Sequence, residues 1–414
     1  MANSANSSRQ LALGYAVESS FAEATNTYAT RLLVTNIDVS GLSQPVLMRE
    51  TANQTLYAGG QNHPINGPKG GSFTFTVEAY GHGADPTAAL TATPLYTLLG
   101  LLMGGSEAAT VGSTASSNWS TGASGAASGA TIATGAMLFL GDPGDTRGGG
   151  QAALAQSYSG STLSLRNAVL DGLDSGDDVR GALTVYPADS GTIDSTLRFW
   201  VGTANMQYWV RGCVLSGMSW AGLNSGEVPT ITLTISCADW GHANETFPST
   251  MATADKTPIY NSIGCLHFTT NSGTTTRSVD VARNITIDLS PQVVALMGPG
   301  GVGTHQNIQG WRRTGFEATL SFDSEAEAVA THTYYDWVTT SPASRTAGLA
   351  VYTCSSIHGR ALAFAFPCLL PADDVPIQGE VDGLNYNTRI RLKAYSHESQ
   401  SSALAKAHVL IGMG

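Results

Sequence analysis

Positive charge is scarce in this chain: 20 Lys and Arg stand against 31 Asp and Glu in 414 residues, a formal net charge of -11. Gripping nucleic acid takes clustered bases that release counterions from phosphate, so this balance argues against a sequence reader of DNA or RNA. Long apolar runs are missing too. The longest largely apolar stretch, Leu95 to Met103, is far short of the roughly 20 residues that span a bilayer as a helix. Residues 1–10 (MANSANSSRQ) are polar and hold no signal-peptide apolar region. The chain is therefore expected to be soluble and unexported, with no membrane partner. Cysteine is sparse: Cys213, Cys237, Cys265, Cys354 and Cys368 are odd in number, widely spaced and form no CxxC, which favours reduced, buried thiols over a disulfide framework. Without an export signal, the Asn-x-Ser/Thr sequons at Asn6, Asn53, Asn118, Asn244 and Asn284 simply follow from Ser/Thr richness.

What is abundant is glycine, 47 residues, together with Ser, Thr and Ala, while charged residues make up only 12 %. That composition fits an all-β protein rich in turns, with helix a minor component. The length favours two or three domains, since single cores stop growing well before it.

The most regular stretch is Gly71 to Tyr80. Phe73, Phe75, Val77 and Ala79 alternate with Ser72, Thr74, Thr76, Glu78 and Tyr80, the period of a half-buried strand. Gly315 to Ser324 echoes it, with Phe316, Ala318, Leu320 and Phe322 on one face and Glu317, Thr319, Ser321 and Asp323 on the other. Both polar faces carry acids and hydroxyls and no bases. Upstream of each lie a strand (Leu32 to Val39; Asn284 to Leu289) and a glycine-rich loop (Gly59 to Gly70; Gly298 to Gly303). A helix is expected after each. In the first, Thr93 caps, Pro94 opens, Leu95, Leu98, Leu99 and Leu102 follow at helical spacing and Gly104 stops it; in the second, Ser324 caps SEAEAVATHTYYDWV.

Three further strand pairs continue the parallel: Thr196 to Val201 with Gly348 to Thr353, Gln207 to Cys213 with Arg360 to Cys368, and Pro229 to Cys237 with Thr388 to Tyr395. The expected fold is mainly β: two tandem sandwich or half-barrel units, each with one short helix, plus a small β-rich insertion. The boundaries read as a flexible arm over 1–12, a first unit over 13–103 plus 196–240 and an inserted β-domain over 104–195. A linker over 241–262, a second unit over 263–397 and a tail over 398–414, loose or packed on a neighbour, follow. Within the insertion, a low-complexity run (Gly112 to Gly135) precedes strand-like segments at Ala136 to Leu140, Ser161 to Leu165 and Val179 to Tyr186.

No stretch carries a recognisable catalytic motif, cofactor fingerprint or metal site. Gly298 to Gly303 lacks the Lys-Ser/Thr of a phosphate loop and opens no helix. Asp171, Asp174, Asp177 and Asp178 lack EF-hand spacing and read as a solvated turn. Cys265 and His267 share a strand face but have no further ligands nearby. Trp200, Trp209 and Trp220, read as lying on successive strands, are either core packing or a sugar-stacking platform. The latter keeps a carbohydrate-binding or adhesin sandwich, secreted or on a virion surface, as the alternative function; a β-rich hydrolase ranks below it. Arg389, Arg391 and Lys393 alternate with Ile390, Leu392 and Ala394, and fit either pairing with acids of a neighbouring subunit or protection of an edge strand.

Outside the insertion the chain resembles the tail tube proteins of long-tailed bacteriophages. The likeness is carried by Ala12-Leu-Gly-Tyr-Ala-Val-Glu-Ser-Ser-Phe-Ala-Glu-Ala-Thr, Arg49-Glu50, Gly71-Ser-Phe-Thr-Phe-Thr, Gly212-Cys-Val-Leu-Ser-Gly, Gly226-Glu-Val-Pro-Thr-Ile-Thr, Phe366-Pro and Asp382-Gly-Leu, and above all by the order of elements. It implies a structural, non-enzymatic subunit whose sheets join its neighbours' into rings, commonly six-fold and, given the internal repeat, compatible with three chains. Rings stack into a tube through which genome DNA passes without specific binding, assembled in the host cytoplasm and ending in the virion tail. Tape measure and terminator proteins are the implied partners. The candidate lumen residues are Thr74, Thr76, Glu78, Glu317, Thr319, Ser321 and Asp323; the candidate inter-subunit residues are Arg389, Arg391 and Lys393. A long subunit with outer decoration leans toward a flexible, non-contractile tail.

Overall fold

The computed structural model describes residues 12–22, 30–32, 34–44, 46–49, 62–67, 69–81, 93–108, 110–114, 124–126, 130–141, 151–159, 162–167, 177–193, 195–203, 206–243, 258–269, 276–279, 282–298, 308–325, 348–357, 360–372, 377–381, 384–396 and 402–414. The chain begins with β1 (Ala12–Val17), β2 (Thr30–Leu32), β3 (Asn36–Asp38), β4 (Leu42–Ser43), β5 (Val46–Arg49), β6 (Asn62–Asn66), β7 (Gly70–Glu78) and helix α1 (Pro94–Met103). Next come β8 (Gly104–Ala108), β9 (Thr110–Thr114), β10 (Ser124–Ala126), β11 (Ala130–Thr131), β12 (Met137–Gly141), β13 (Gln151–Ser159), β14 (Thr162–Leu165), β15 (Asp178–Gly181) and β16 (Leu183–Pro187). After these are β17 (Leu197–Thr203), β18 (Met206–Ala221), β19 (Thr230–Cys237), β20 (Asp239–Ala243), β21 (Cys265–Thr269), β22 (Thr276–Val279), β23 (Ala282–Met297) and β24 (Ile308–Glu325). The remainder is β25 (Gly348–Ser355), β26 (Leu362–Pro371), β27 (Ile377–Val381), β28 (Leu384–Ala394), helix α2 (Ala403–Lys406) and β29 (Leu410–Met413). The protein is mainly β, and its strand pairings are antiparallel.

Alternation in the sequence becomes a two-faced sheet. In β7, Phe73, Phe75 and Val77 are buried while the residues between them are half-buried or exposed. β19 repeats the pattern and pairs along the whole of β7, from Thr230 opposite Glu78 to Cys237 opposite Gly71. Phe73, Phe75 and Phe199 form a cluster with ring centroids 5.4–5.9 Å apart. Leu95, Leu98, Leu99 and Leu102 of α1 join the same core. The ends of α1 follow the sequence: Thr93 Oγ1 accepts from the Tyr96 amide at 3.1 Å, and Gly104 stops the helix at a φ of 88°.

The pairings form two series. One runs β1–β17–β18–β19–β7–β3 and the other β21–β25–β26–β28–β24–β23, so strands taken in the same chain order are paired in the same spatial order. They meet where Met218, Ser219 and Trp220 of β18 lie opposite Leu289, Asp288 and Ile287 of β23. Trp220 is fully buried there, edge-on to Phe364 of β26 with centroids 4.7 Å apart. Residues 258–263 are tied to both series: the Ile259 amide donates to Ala79 O, Asn261 Nδ2 donates to Leu223 O and to the Tyr352 hydroxyl, and the Ile263 amide donates to Cys354 O.

The insertion is joined to the main sheet through its first and last strands. Seven of its strands form their own sheet, ordered β10-β14-β13-β12-β15-β9-β11. Its first and last strands leave that sheet: β8 and β16 pair with each other, and β16 also pairs with β29, which in turn pairs with β26. The expected single strand over Val179 to Tyr186 is thus two strands, split at Ala182 and belonging to different sheets. Met137, Leu154 and Leu163 pack on Val351, Ala363 and Ala365, whose strand neighbours Ala350, Tyr352 and Phe364 face the main core. With both faces covered, β25 reads as an unbroken buried run.

Several expectations change. Residues 402–414 are not a loose tail, since Leu404, Leu410 and Ile411 are buried in their own chain. Ser324 lies in β24 and caps no helix; residues 326–347, where the rest of that helix was expected, lie outside the described residues. Residues 241–243 of the expected linker belong to β20, and Ala12 of the expected arm belongs to β1. Trp209 and Trp220 share β18, a 16-residue strand, instead of lying on successive strands.

Candidate functional site

The strand β7 has neighbours on both edges, and following them across the protein reveals a single polar face. Asn36, Thr76, Thr232, Ser219, Asp288, Thr319 and Lys393 stand opposite one another in turn across β3, β7, β19, β18, β23, β24 and β28. Opposite residues in an antiparallel sheet share a face, so these seven point the same way. Their strand neighbours, including Phe75, Leu233, Met218, Ile287, Leu320 and Leu392, are buried on the other side. Thr74, Thr76 and Glu78 therefore lie on the same face as Glu317, Thr319, Ser321 and Asp323, joined through the β18–β23 contact.

Hydrogen bonds knit the face. Thr76 and Thr232 share a bond of 3.0 Å between hydroxyls, and Ser219 Oγ donates to Asp288 Oδ1 at 2.6 Å across the junction. Asn284, held at a φ of 52°, donates from Nδ2 to Asp323 Oδ2 at 2.7 Å. Asp38 accepts from the Ser40 amide, which holds its carboxyl below the usual range.

β28 changes the charge reading. The faces of β7 and β24 carry no bases themselves, but Arg391 stands opposite Ser321 and Lys393 opposite Thr319. Lys393 Nζ forms an ion pair with Glu317 Oε1 at 3.0 Å, so this inter-subunit candidate has an acidic partner within its own chain. β28 is also not an edge strand over this stretch, being flanked by β24 on one side and by β27 and β26 on the other. Of Arg389 the structure describes only its backbone, in β28. In the first half, Glu78 and Asp38 face Thr230 and Thr74 in register, with no base opposite.

No family model matches this chain, and no curated protein matches it.

The other sequence candidates fall elsewhere. Trp220 is core, and Trp200 is 3 % exposed beneath the Arg198 guanidinium, which lies 4.6 Å from its ring. Trp209 is half-buried with Arg211 3.9 Å over its ring, so the three tryptophans form no open platform. Cys265 Sγ and His267 Nδ1 approach to 3.7 Å, and burial pulls the imidazole pKa down to about 4. Among the described residues no three metal-binding side chains cluster. Burial raises the Cys213, Cys237, Cys354 and Cys368 thiol pKa values, and all five cysteines are free. Gly298 ends the β23 side of the β23–β24 hairpin; 299–303 and Asp171 and Asp174 lie outside the described residues. A cleft of about 540 Å³ between α1 and residues 188–195 is lined by Tyr96, Thr97, Ser106, Thr192 and Arg313. Arg313 caps α1 there, donating to Met103 O and Leu102 O.

One buried carboxylate escaped the sequence reading. Glu18 accepts from the Gly212 and Ala22 amides and from the Thr196 hydroxyl, tying the end of β1 to β17 and β18. Burial raises its pKa, partly offset by these bonds and by Arg198. Nothing in its local sequence distinguishes it from a surface acid. Thr230, Thr232 and Thr234, by contrast, could have been added from the alternation of Thr-Ile-Thr-Leu-Thr-Ile alone.

Proposed function

We propose that this chain is a structural subunit of a phage tail tube. Copies associate through their sheets into rings, and the rings stack into a conduit for genome DNA. The observation that carries the reading is the continuous polar face over seven strands, backed by the main core. DNA must slide through a conduit without sticking. A wall of hydroxyls with acids in excess over bases repels phosphate, while the Lys393–Glu317 pair leaves little net attraction where bases do occur. A sheet left open at its ends is a hazard that ring closure removes.

The two matching pairing series support a chain built of two tandem tube-like units, with the insertion as outer decoration covering the second. In this reading the tube lies in the virion tail after assembly in the host cytoplasm, and tape measure and terminator proteins are its neighbours. The test is negative-stain microscopy of the purified protein. Rings or tubes of uniform diameter are expected; a monodisperse monomer at high concentration overturns the proposal. The carbohydrate-binding alternative gains nothing from Trp200 and Trp220, whose rings are covered.

A further inference from the structure

The junction inside one chain also describes a junction between chains. Register fixes which residues of the two series correspond. Ile37 and Asp38 lie opposite Phe75 and Thr74, as Ile287 and Asp288 lie opposite Leu320 and Thr319. The local sequences agree, Ile37-Asp38-Val39-Ser40 matching Ile287-Asp288-Leu289-Ser290. On the partner side, Met218 opposite Leu233 corresponds to Pro371 opposite Leu392. Ser219, one residue on, then corresponds to Ala372, whose amide donates to Arg391 O.

Within the chain, β23 uses one edge to pair with β18. Among the described residues its counterpart β3 pairs only with β7, and no strand pairs with the corresponding edge of β26 at 371–372. Burial follows the same asymmetry. Ile287 and Leu289, covered by Met218 and Trp220, are 0 % and 1 % exposed, whereas Ile37 and Val39 are only half-buried and Ala372 is exposed.

We propose that β3 of one copy pairs antiparallel with the end of β26 in a second copy, Asp38 opposite Ala372, reproducing the β18–β23 junction head to tail. The proposal rests on the tube reading and names the two edges that meet. The contact is heterologous: each copy offers β3 at one end and β26 at the other, so the polar face continues from chain to chain. The Ala372 amide points toward β28, so Pro371 faces the open edge, where its missing N–H leaves nothing unsatisfied in the free subunit. The junction between copies therefore has one backbone donor fewer than the internal one.

The test is cross-linking of the full-length protein carrying Asp38→Cys and Ala372→Cys together, using a short thiol-to-thiol reagent. A ladder of covalent multimers is expected from the double variant and from neither single variant. A Ser219→Cys, Asp288→Cys control should cross-link within one chain and give no ladder. If the double variant forms tubes but no ladder, the edge assignment is overturned and the tube reading stands; if wild-type protein forms neither rings nor tubes, both fall. Ile37→Asp provides an independent check. Because Ile37 also packs on its own core, the monomer should unfold somewhat earlier than wild type, while under conditions where it stays folded the concentration needed for assembly rises at least tenfold; unchanged assembly overturns the assignment.

Discussion

Trp220→Ala is the most informative single substitution. The indole is fully buried, its strand segment bridges the two pairing series, and its ring meets Phe364 edge-on at 78°. Truncating a buried Trp costs about 3–5 kcal/mol, and losing a well-placed aromatic pair accounts for about 0.5–1.5 kcal/mol of such a loss. Against a total stability of about 5–15 kcal/mol that is a large share. A chain of 414 residues unfolds with an entropy of about 0.9 kcal/mol/K. A loss of about 4 kcal/mol spread over the whole chain would thus lower Tm by only about 4–5 °C. If Trp220 instead couples the two pairing series within their shared core, the loss falls on one boundary, and a single transition splits in two. Differential scanning calorimetry with far-UV circular dichroism distinguishes these cases. Trp220→Phe should restore one transition. One unsplit transition within about 1 °C of wild type for Trp220→Ala would refute the reasoning that the indole holds the halves together.

Three further outcomes are expected. Glu18→Gln places an amide N–H₂ among amide and hydroxyl donors and should cost about 1–3 kcal/mol at neutral pH, read by urea unfolding. The wild-type Glu18 carboxyl has a folded pKa raised above its ordinary 4.5, so its contribution is fully present below that value and lost as pH rises through the raised one; the stability gap between wild type and Glu18→Gln should widen on acidification, and a flat gap from pH 4 to 7 would count against this. Gly212→Ala should cost about 1–3 kcal/mol, because φ is 58° and a Cβ would sit 2.7 Å from that of Ala238; an unchanged chemical-denaturation midpoint would contradict it. Deleting residues 402–414 exposes the β26 and β16 edges together with the apolar surface under Leu410 and Ile411, and should turn soluble protein into aggregate on size exclusion.

The sequence revealed local form better than company. Alternation in β7, β19 and β24 gave the core-facing residues, except that Tyr80, read on the polar face, lies past the end of β7 and is buried in the core; the cap and stop of α1 were readable because Thr, Pro and Gly act through their own backbones. Which strands stand side by side depends on contacts far apart in the chain, and that is where the reading fell short. Arg391 and Lys393 fitted an edge strand or a subunit contact because their strand carries bases; their place between β24 and β26 is set by strands far from them in the chain. Ser324 begins a good helical signature, yet the ladder with β28 extends strand through it to Glu325. Glu18 was invisible because its burial is made by Thr196 and Gly212.

The clasp formed by β29 has a consequence for how the protein is made. β16 is synthesised long before the strand that closes over its free edge, and Ala152 waits likewise for Thr353, 201 residues later. At about 5–20 residues per second, β16 stays open for on the order of ten seconds or more in every copy. Throughout that wait its edge is open to β29 of another, just-completed copy. A polysome crowded with copies of one messenger would bring such strands close together, and exchange of β29 is the misassembly to look for when expression is fast.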